Sequence, residues 1–142
     1  TGGPEEVATY KQVSSGQTGH YEALRVVYDP AQVSFAQLLE IFWRNIDPTQ
    51  SDGQFCDRGK QYRSAVFATD PAEIALAEAS RAAAAAKLGQ PIVTQILPKA
   101  DFWLAEEVHQ DFYTKNPGHY LRYRMGCGRD RRLMELWGQP GH

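Results

Sequence analysis

Residues 62–97, YRSAVFATDPAEIALAEASRAAAAAKLGQPIVTQIL, read as strand, helix and strand in one continuous stretch. Asp70 suits a helix N-cap, Pro71 the first helical position, where no backbone N–H is needed, and Glu73 faces the positive end of the helix dipole. Alanines carry the helix to Leu88, and Gly89 closes it. The flanking runs, Tyr62 to Ala68 and Ile92 to Leu97, have strand-like length and composition. A strand on each side of one helix predicts helix packed on sheet.

Upstream, Glu22 to Tyr28 (EALRVVY) alternates, with Leu24, Val26 and Tyr28 on one face, and predicts another strand that Asp29-Pro30 ends. Ser34 and Gln37 make a capping-box pattern, and Phe35, Leu38, Leu39, Phe42 and Ile46 then recur at helical spacing up to Asp47-Pro48. A polar loop covers 49–60. Downstream, Leu104, Val108 and Phe112 predict a helix that stops at Asn116-Pro117. The order β-α-β-α-β-α predicts an α/β (α+β) two-layer sandwich: a mixed sheet with helices packed on it and a ferredoxin-like core. One domain spans 1–142, with a long irregular, Gly/Arg-rich C-terminal tail at 118–142 carrying at most a short helix at Asp130 to Trp137.

A chain of 142 residues, 42% hydrophobic and 23% charged, is expected to be a soluble domain burying about two thirds of its unfolded surface. The net charge of −2 gives no reason to expect nucleic acid or an anionic membrane as partner. No apolar run approaches the ~20 residues that span a bilayer, and no signal peptide is visible, so the expectation is cytoplasmic. Cys56 and Cys127 are too few for an all-cysteine zinc site and form no CxxC pair, and composition alone predicts two free thiols.

Glu22 enters its strand in phase with Leu24, Val26 and Tyr28. If that face is buried, desolvation favours the neutral acid, which suits a general acid; if not, it is a strand-end glutamate in solvent. His20 fits a structural role better than a catalytic one. The loop GQFCDRGKQYRS (53–64) gathers Cys56, Asp57, Arg58, Tyr62 and Arg63. Asp57 and Arg58 there form either a loop-stiffening ion pair or part of a site. Tyr10, Tyr62 and Trp43 supply either aromatic walls or core. His109 and Glu106 share a helical spacing, but with no further clustered ligands no metal is expected. Cys127, in MGCGRDRR (125–132), has permissive glycines on both sides and arginines that favour a thiolate, so it suits a thiol that travels to another sulfur.

Four runs, GQTGHYEALRVVYDP (16–30), FWRNIDPTQ (42–50), FCDRGKQYRSAVF (55–67) and AEEVHQDFYTKNP (105–117), occur in an order that resembles the peptide-methionine (S)-S-oxide reductases, the A type. The tail YRMGCGRDRRLMELWG (123–138) is similar to one C-terminal variant of that family. The resemblance implies action on one of the two sulfoxide epimers, the S form. The resemblance implies Glu22 as the acid that protonates the sulfoxide oxygen, with Tyr10 and Tyr62 bonding the same oxygen. It further implies substrate contacts from Asp57, Trp43 and His109, and Cys127 as the candidate resolving thiol. No bound cofactor is implied; thioredoxin or another dithiol would be the reductant, and methionine sulfoxide, free or in proteins, the substrate. The family's nucleophile stands in a Gly-Cys-Phe-Trp motif upstream of the stretch matching Thr1 onward, and residues 1–142 contain no such motif. Cys56 follows Phe55 but precedes Asp57-Arg58, so it does not match. The expectation is a reductase as the complete protein, with residues 1–142 inactive alone. The alternatives are a binding module without the nucleophile and a different thiol enzyme using Cys56 or Cys127.

Overall fold

Helix α3 (Pro71–Leu88) runs between the caps read from the sequence. The Asp70 carboxylate accepts from the Glu73 N–H at 2.8 Å, and Gly89 ends the helix in the left-handed region at φ 62°. It connects strands β3 (Ala65–Ala68) and β4 (Gln95–Pro98), which pair in parallel with Ala65 opposite Gln95 and Ala68 opposite Pro98. The computed structural model describes residues 1–6 and 8–138. Within them no helix is long and apolar enough to cross a membrane.

Before β3 lie α1 (Tyr10–Ser14), α2 (Phe35–Arg44) and a hairpin of two short antiparallel strands, β1 (Gly53–Gln54) and β2 (Asp57–Arg58). Both bonds of the Ser34/Gln37 capping box are present, at 3.1 and 2.8 Å. After β4 come a 3₁₀ turn (Glu107–His109), α4 (Phe112–Lys115), α5 (Pro117–Gly126) and α6 (Arg129–Trp137). The α+β class and the layering of helix on sheet hold. The sheet is narrower than expected, because residues 22–28 join no strand. Their alternation has no partner to act on: Leu24 and Val27, on opposite faces, are each 88% exposed. Alternation specifies which face of a strand can be buried; it cannot supply the neighbouring strand.

Two other expectations change. The helix predicted through Leu104 and Val108 is a 3₁₀ turn followed by α4, with both side chains exposed. The stop at Asn116-Pro117 holds, since α4 ends at Lys115 with Asn116 as its C-cap, and Pro117 then takes the first position of a further helix, α5. The C-terminal stretch is not an irregular tail: α5 and α6 order residues 117–137, joined by Gly128 at φ 65°, while 139–142 lie outside the described residues.

The reason is packing. Leu133 and Trp137, one turn apart on α6, join Leu39 and Trp43 of α2 and Ala77 and Ala84 of α3 in one buried cluster. The alanines leave room for the large rings opposite, and the Ser80 hydroxyl accepts from the Trp43 indole N–H at 2.6 Å. Helix α6 also satisfies carbonyls at the end of α2: Arg129 donates to Asn45 O at 2.6 Å and Trp137 Nε1 to Ile46 O at 3.2 Å. Burial alone would raise the Asp47 carboxyl, but bonds from Thr49 and Arg132 outweigh it and hold the group below its usual range. Leu133 is fully buried. Leu133→Ala should lower the unfolding free energy by about 2–5 kcal/mol in urea titrations; a change within ±0.5 kcal/mol, the usual scale of a surface substitution, would show that α6 is not part of the core.

Candidate functional site

The hairpin positions the first acidic group. Its turn places Phe55 in the left-handed region at φ 54°, a conformation costing a side-chain-bearing residue about 1–2 kcal/mol. The Gln50 amide offsets that cost by pinning both ends of Phe55, accepting from its N–H at 2.6 Å and donating to its carbonyl at 3.1 Å. The Arg129 guanidinium lies 4.5 Å from the centre of the Phe55 ring. Gly53 is required here, since a Cβ would fall on the Asp57 carbonyl oxygen. Fixed this way, Asp57 stands opposite Gln54. Of the two readings of Asp57 and Arg58, the ion pair does not form: Arg58 bonds to Asp52, and Asp57 Oδ2 accepts from the Tyr123 hydroxyl.

Glu22 reaches the same corner from the extended segment. Tyr21 exchanges backbone bonds with Thr1 at 2.7 and 3.1 Å, and the Glu22 N–H donates to Gln61 O at 2.9 Å. That last bond sets Glu22 beside the 3₁₀ turn Lys60–Tyr62, which carries Tyr62. Tyr10, the first residue of α1, stacks on His109 with ring centres 3.5 Å apart and planes 14° apart. Its own N–H donates to Glu106 Oε1 at 3.2 Å, and Glu106 Oε2 lies 4.0 Å from His109 Nε2. Glu22, Tyr10, Tyr62, Asp57 and His109 therefore come together from five separate segments.

The groups act on one another's acidity. The protein atoms around the Glu22 carboxyl, and next the Asp57 carboxylate, hold it above the ordinary range, while His109 pulls the other way. Burial and then the Glu22 and Asp57 carboxylates push up the phenols of Tyr10 and Tyr62. Both remain neutral hydroxyl donors near pH 7. The dry pocket that buried alternation would have produced is not what forms. Glu22 is exposed on one side, and among the described residues no strand pairs with residues 22–28. A carboxyl favouring its neutral form, with two phenols beside it, can donate to a polar oxygen arriving from solvent.

Trp43 is not a wall of this site. It is 4% exposed in the core, its indole N–H on Ser80. His20 is structural: Nδ1 accepts from the Gly3 N–H at 3.1 Å, so Nε2 carries the proton and donates to Glu5 O at 3.2 Å. The two free thiols that composition predicts are not found: Cys127 is joined to Cys56 by a disulfide, with Cα atoms 5.2 Å apart. Neither cysteine is free. Sequence reasoning missed Tyr123. Its spacing of four from Cys127 would have singled it out had 117–126 been read as helix. Among the described residues no three His, Cys, Asp or Glu side chains converge as metal ligands.

Comparison with known proteins gives consistent matches. The family model described as peptide methionine sulfoxide reductase matches residues 1–140. The peptide methionine sulfoxide reductase MsrA 2 of Caulobacter vibrioides is 52% identical over 139 residues, covering 97% of this chain and 70% of that protein. The Bacillus subtilis protein MsrA is 48% identical over 140 residues, covering 97% and 79%. Among solved structures, reduced Mxr1 from Saccharomyces cerevisiae superposes with a TM-score of 0.76 at 36% identity, over 82% of this chain and 65% of that one. Methionine sulfoxide reductase A of Corynebacterium diphtheriae gives 0.72 at 36% identity, over 82% and 61%. The chain thus spans just under two thirds of each of these two solved chains.

Proposed function

The chain belongs to the peptide methionine sulfoxide reductase family, and from that premise we propose that the full-length protein reduces the S epimer of methionine sulfoxide, free or within proteins, to methionine. The observation that carries this reading is the convergence of the Glu22 carboxyl, held toward its neutral form, with the neutral phenols of Tyr10 and Tyr62. A sulfoxide presents one strongly polar oxygen on an otherwise apolar group. Two neutral phenols and a carboxyl shifted toward its protonated form face that oxygen from one side.

The chemistry then divides simply. A thiolate attacks the sulfoxide sulfur while Glu22 delivers its proton to the oxygen; the S–O bond to methionine is lost, methionine leaves, and the attacking sulfur becomes a sulfenic acid. A second thiol condenses with it, forming a disulfide and releasing water, and an external dithiol such as thioredoxin returns the enzyme to its reduced state. Residues 1–142 supply the acid, the oxygen-binding phenols and, in Asp57 and His109, contacts for the rest of the substrate. They hold no Gly-Cys-Phe-Trp motif, so the attacking cysteine of the family is not among them. Cys127 serves as a resolving thiol in this scheme only once its bond to Cys56 is opened. No bound cofactor is needed.

A second reading is a module that binds sulfoxides without turnover. The test is to incubate the full-length protein as its gene encodes it with dithiothreitol and the separated S and R sulfoxides of N-acetyl-methionine amide. Consumption of S alone is expected. Binding of S without conversion would establish the second reading, and equal use of both epimers would contradict the first. Turnover that vanishes in Cys56→Ser would instead point to a different thiol enzyme.

A further inference from the structure

We propose that Tyr123 is a positioning residue for the sulfoxide site, its hydroxyl aiming the Asp57 carboxylate at bound substrate. The inference rests on the reductase reading of the same corner and extends it to helix α5, which carries none of the groups assigned so far.

Three observations support it. Asp57 turns away from its chain neighbour Arg58, which bonds to Asp52. Among the described residues the side-chain donor to Asp57 is Tyr123, from 66 positions further along the chain. An ionised carboxylate only accepts, so a donor on Oδ2 fixes the plane of the group and turns Oδ1 toward another donor. The second observation is mechanical. Tyr123 and Cys127 lie one helical turn apart at the end of α5, and Cys127 is bonded to Cys56, the residue before Asp57. Helix and hairpin are thus joined at two neighbouring points, so the phenol approaches Asp57 with little freedom left to lose. Third, burial, followed by the hydrogen bond and charge of Asp57, raises the Tyr123 phenol above its ordinary value, keeping it a donor wherever Asp57 is ionised.

The test uses the full-length protein and the S sulfoxide of N-acetyl-methionine amide. Tyr123→Phe keeps the ring and removes only the hydroxyl. KM should rise about tenfold, the scale of one hydrogen bond to a charged group, with kcat within about twofold. Asp57→Asn should raise KM at least as much, and adding Tyr123→Phe to it should change KM no further, because the two residues act as one unit. A purely structural tyrosine would lower the melting temperature and shift KM equally in both backgrounds. An unchanged KM in Tyr123→Phe, or full additivity with Asp57→Asn, overturns the proposal. If the protein binds the sulfoxide without turning it over, the same thresholds apply to Kd. Glu22→Gln separates the two failures. Full activity in that variant would reject the reductase reading of the corner, whereas its loss beside a silent Tyr123→Phe would reject only the role given to Tyr123.

Discussion

Glu22→Gln in the full-length protein should slow turnover of a methionine (S)-sulfoxide by about 100-fold or more, the usual scale for losing a general acid. Glutamine keeps the size of the side chain and a hydrogen-bond donor, so the sulfoxide oxygen can still be held. What it cannot do is release a proton as the S–O bond breaks. The loss should therefore fall on kcat, with KM changed little. The pH dependence carries a sign as well. In the proposed role the reactive form of Glu22 is the protonated one, and crowding plus the Asp57 charge raise its pKa. Its contribution to rate should persist above the ordinary carboxylate range and be lost as pH rises through the raised value. Asp57→Asn removes one raising cause while the lowering effect of His109 remains, so the fall should move to lower pH. Wild-type kcat in Glu22→Gln would remove Glu22 from the chemistry.

The second large effect concerns stability. The Cys56–Cys127 disulfide spans 71 positions in sequence and ties the hairpin to the junction of α5 and α6. Closing a loop of that length removes unfolded-chain entropy worth roughly 4 kcal/mol in the simplest account, and measured values commonly run lower, about 2–4 kcal/mol. Cys127→Ser, or mild reduction of the wild type, should lower the unfolding free energy by that amount in urea. A thiol assay on the native, unreduced protein should label neither Cys56 nor Cys127. The bond also secures the last turn of α5 beside Asp57, so losing it should weaken sulfoxide binding together with stability. Coincident unfolding curves for the oxidised and reduced forms would show that the bond contributes nothing.

Local signals in the sequence predicted local structure well. Asp70, Pro71 and Gly89 mark α3 within a residue, and the Ser34/Gln37 box marks the start of α2, because caps act through bonds only three or four residues apart. The Thr9/Gln12 capping box of α1 is the same kind of signal. Residues 22–28 failed for the converse reason. A strand exists only through its neighbour, and seven residues of alternation cannot say whether one is present. In the C-terminal stretch, glycines and arginines suggested an irregular tail around a short helix at Asp130 to Trp137; that helix forms as α6, and Leu133 and Trp137 find their partners in α2 and α3 far back in the chain.

The site shows the same division. Glu22, Tyr10, Tyr62 and Asp57 were legible through the family resemblance, and the structure brings them near one another and near His109. Trp43 was not separable from a site residue by spacing alone, since an aromatic on an apolar helix face fits either place; its burial on Ser80 decides for the core. The Cys56–Cys127 bond and the Tyr123–Asp57 contact join residues 71 and 66 positions apart. Such pairs depend on how α5 docks, and no local pattern encodes that.

Carbon-13 NMR of the Glu22 carboxyl, titrated in the full-length protein with and without saturating dimethyl sulfoxide as an S=O probe, goes straight to the chemistry of the corner. Its midpoint should lie above that of ordinary glutamates and rise further with the probe, because a neutral acid donating to the sulfoxide oxygen is favoured over its anion. A midpoint at or below the ordinary value, unmoved by the sulfoxide, would contradict the assignment of Glu22 as the proton donor.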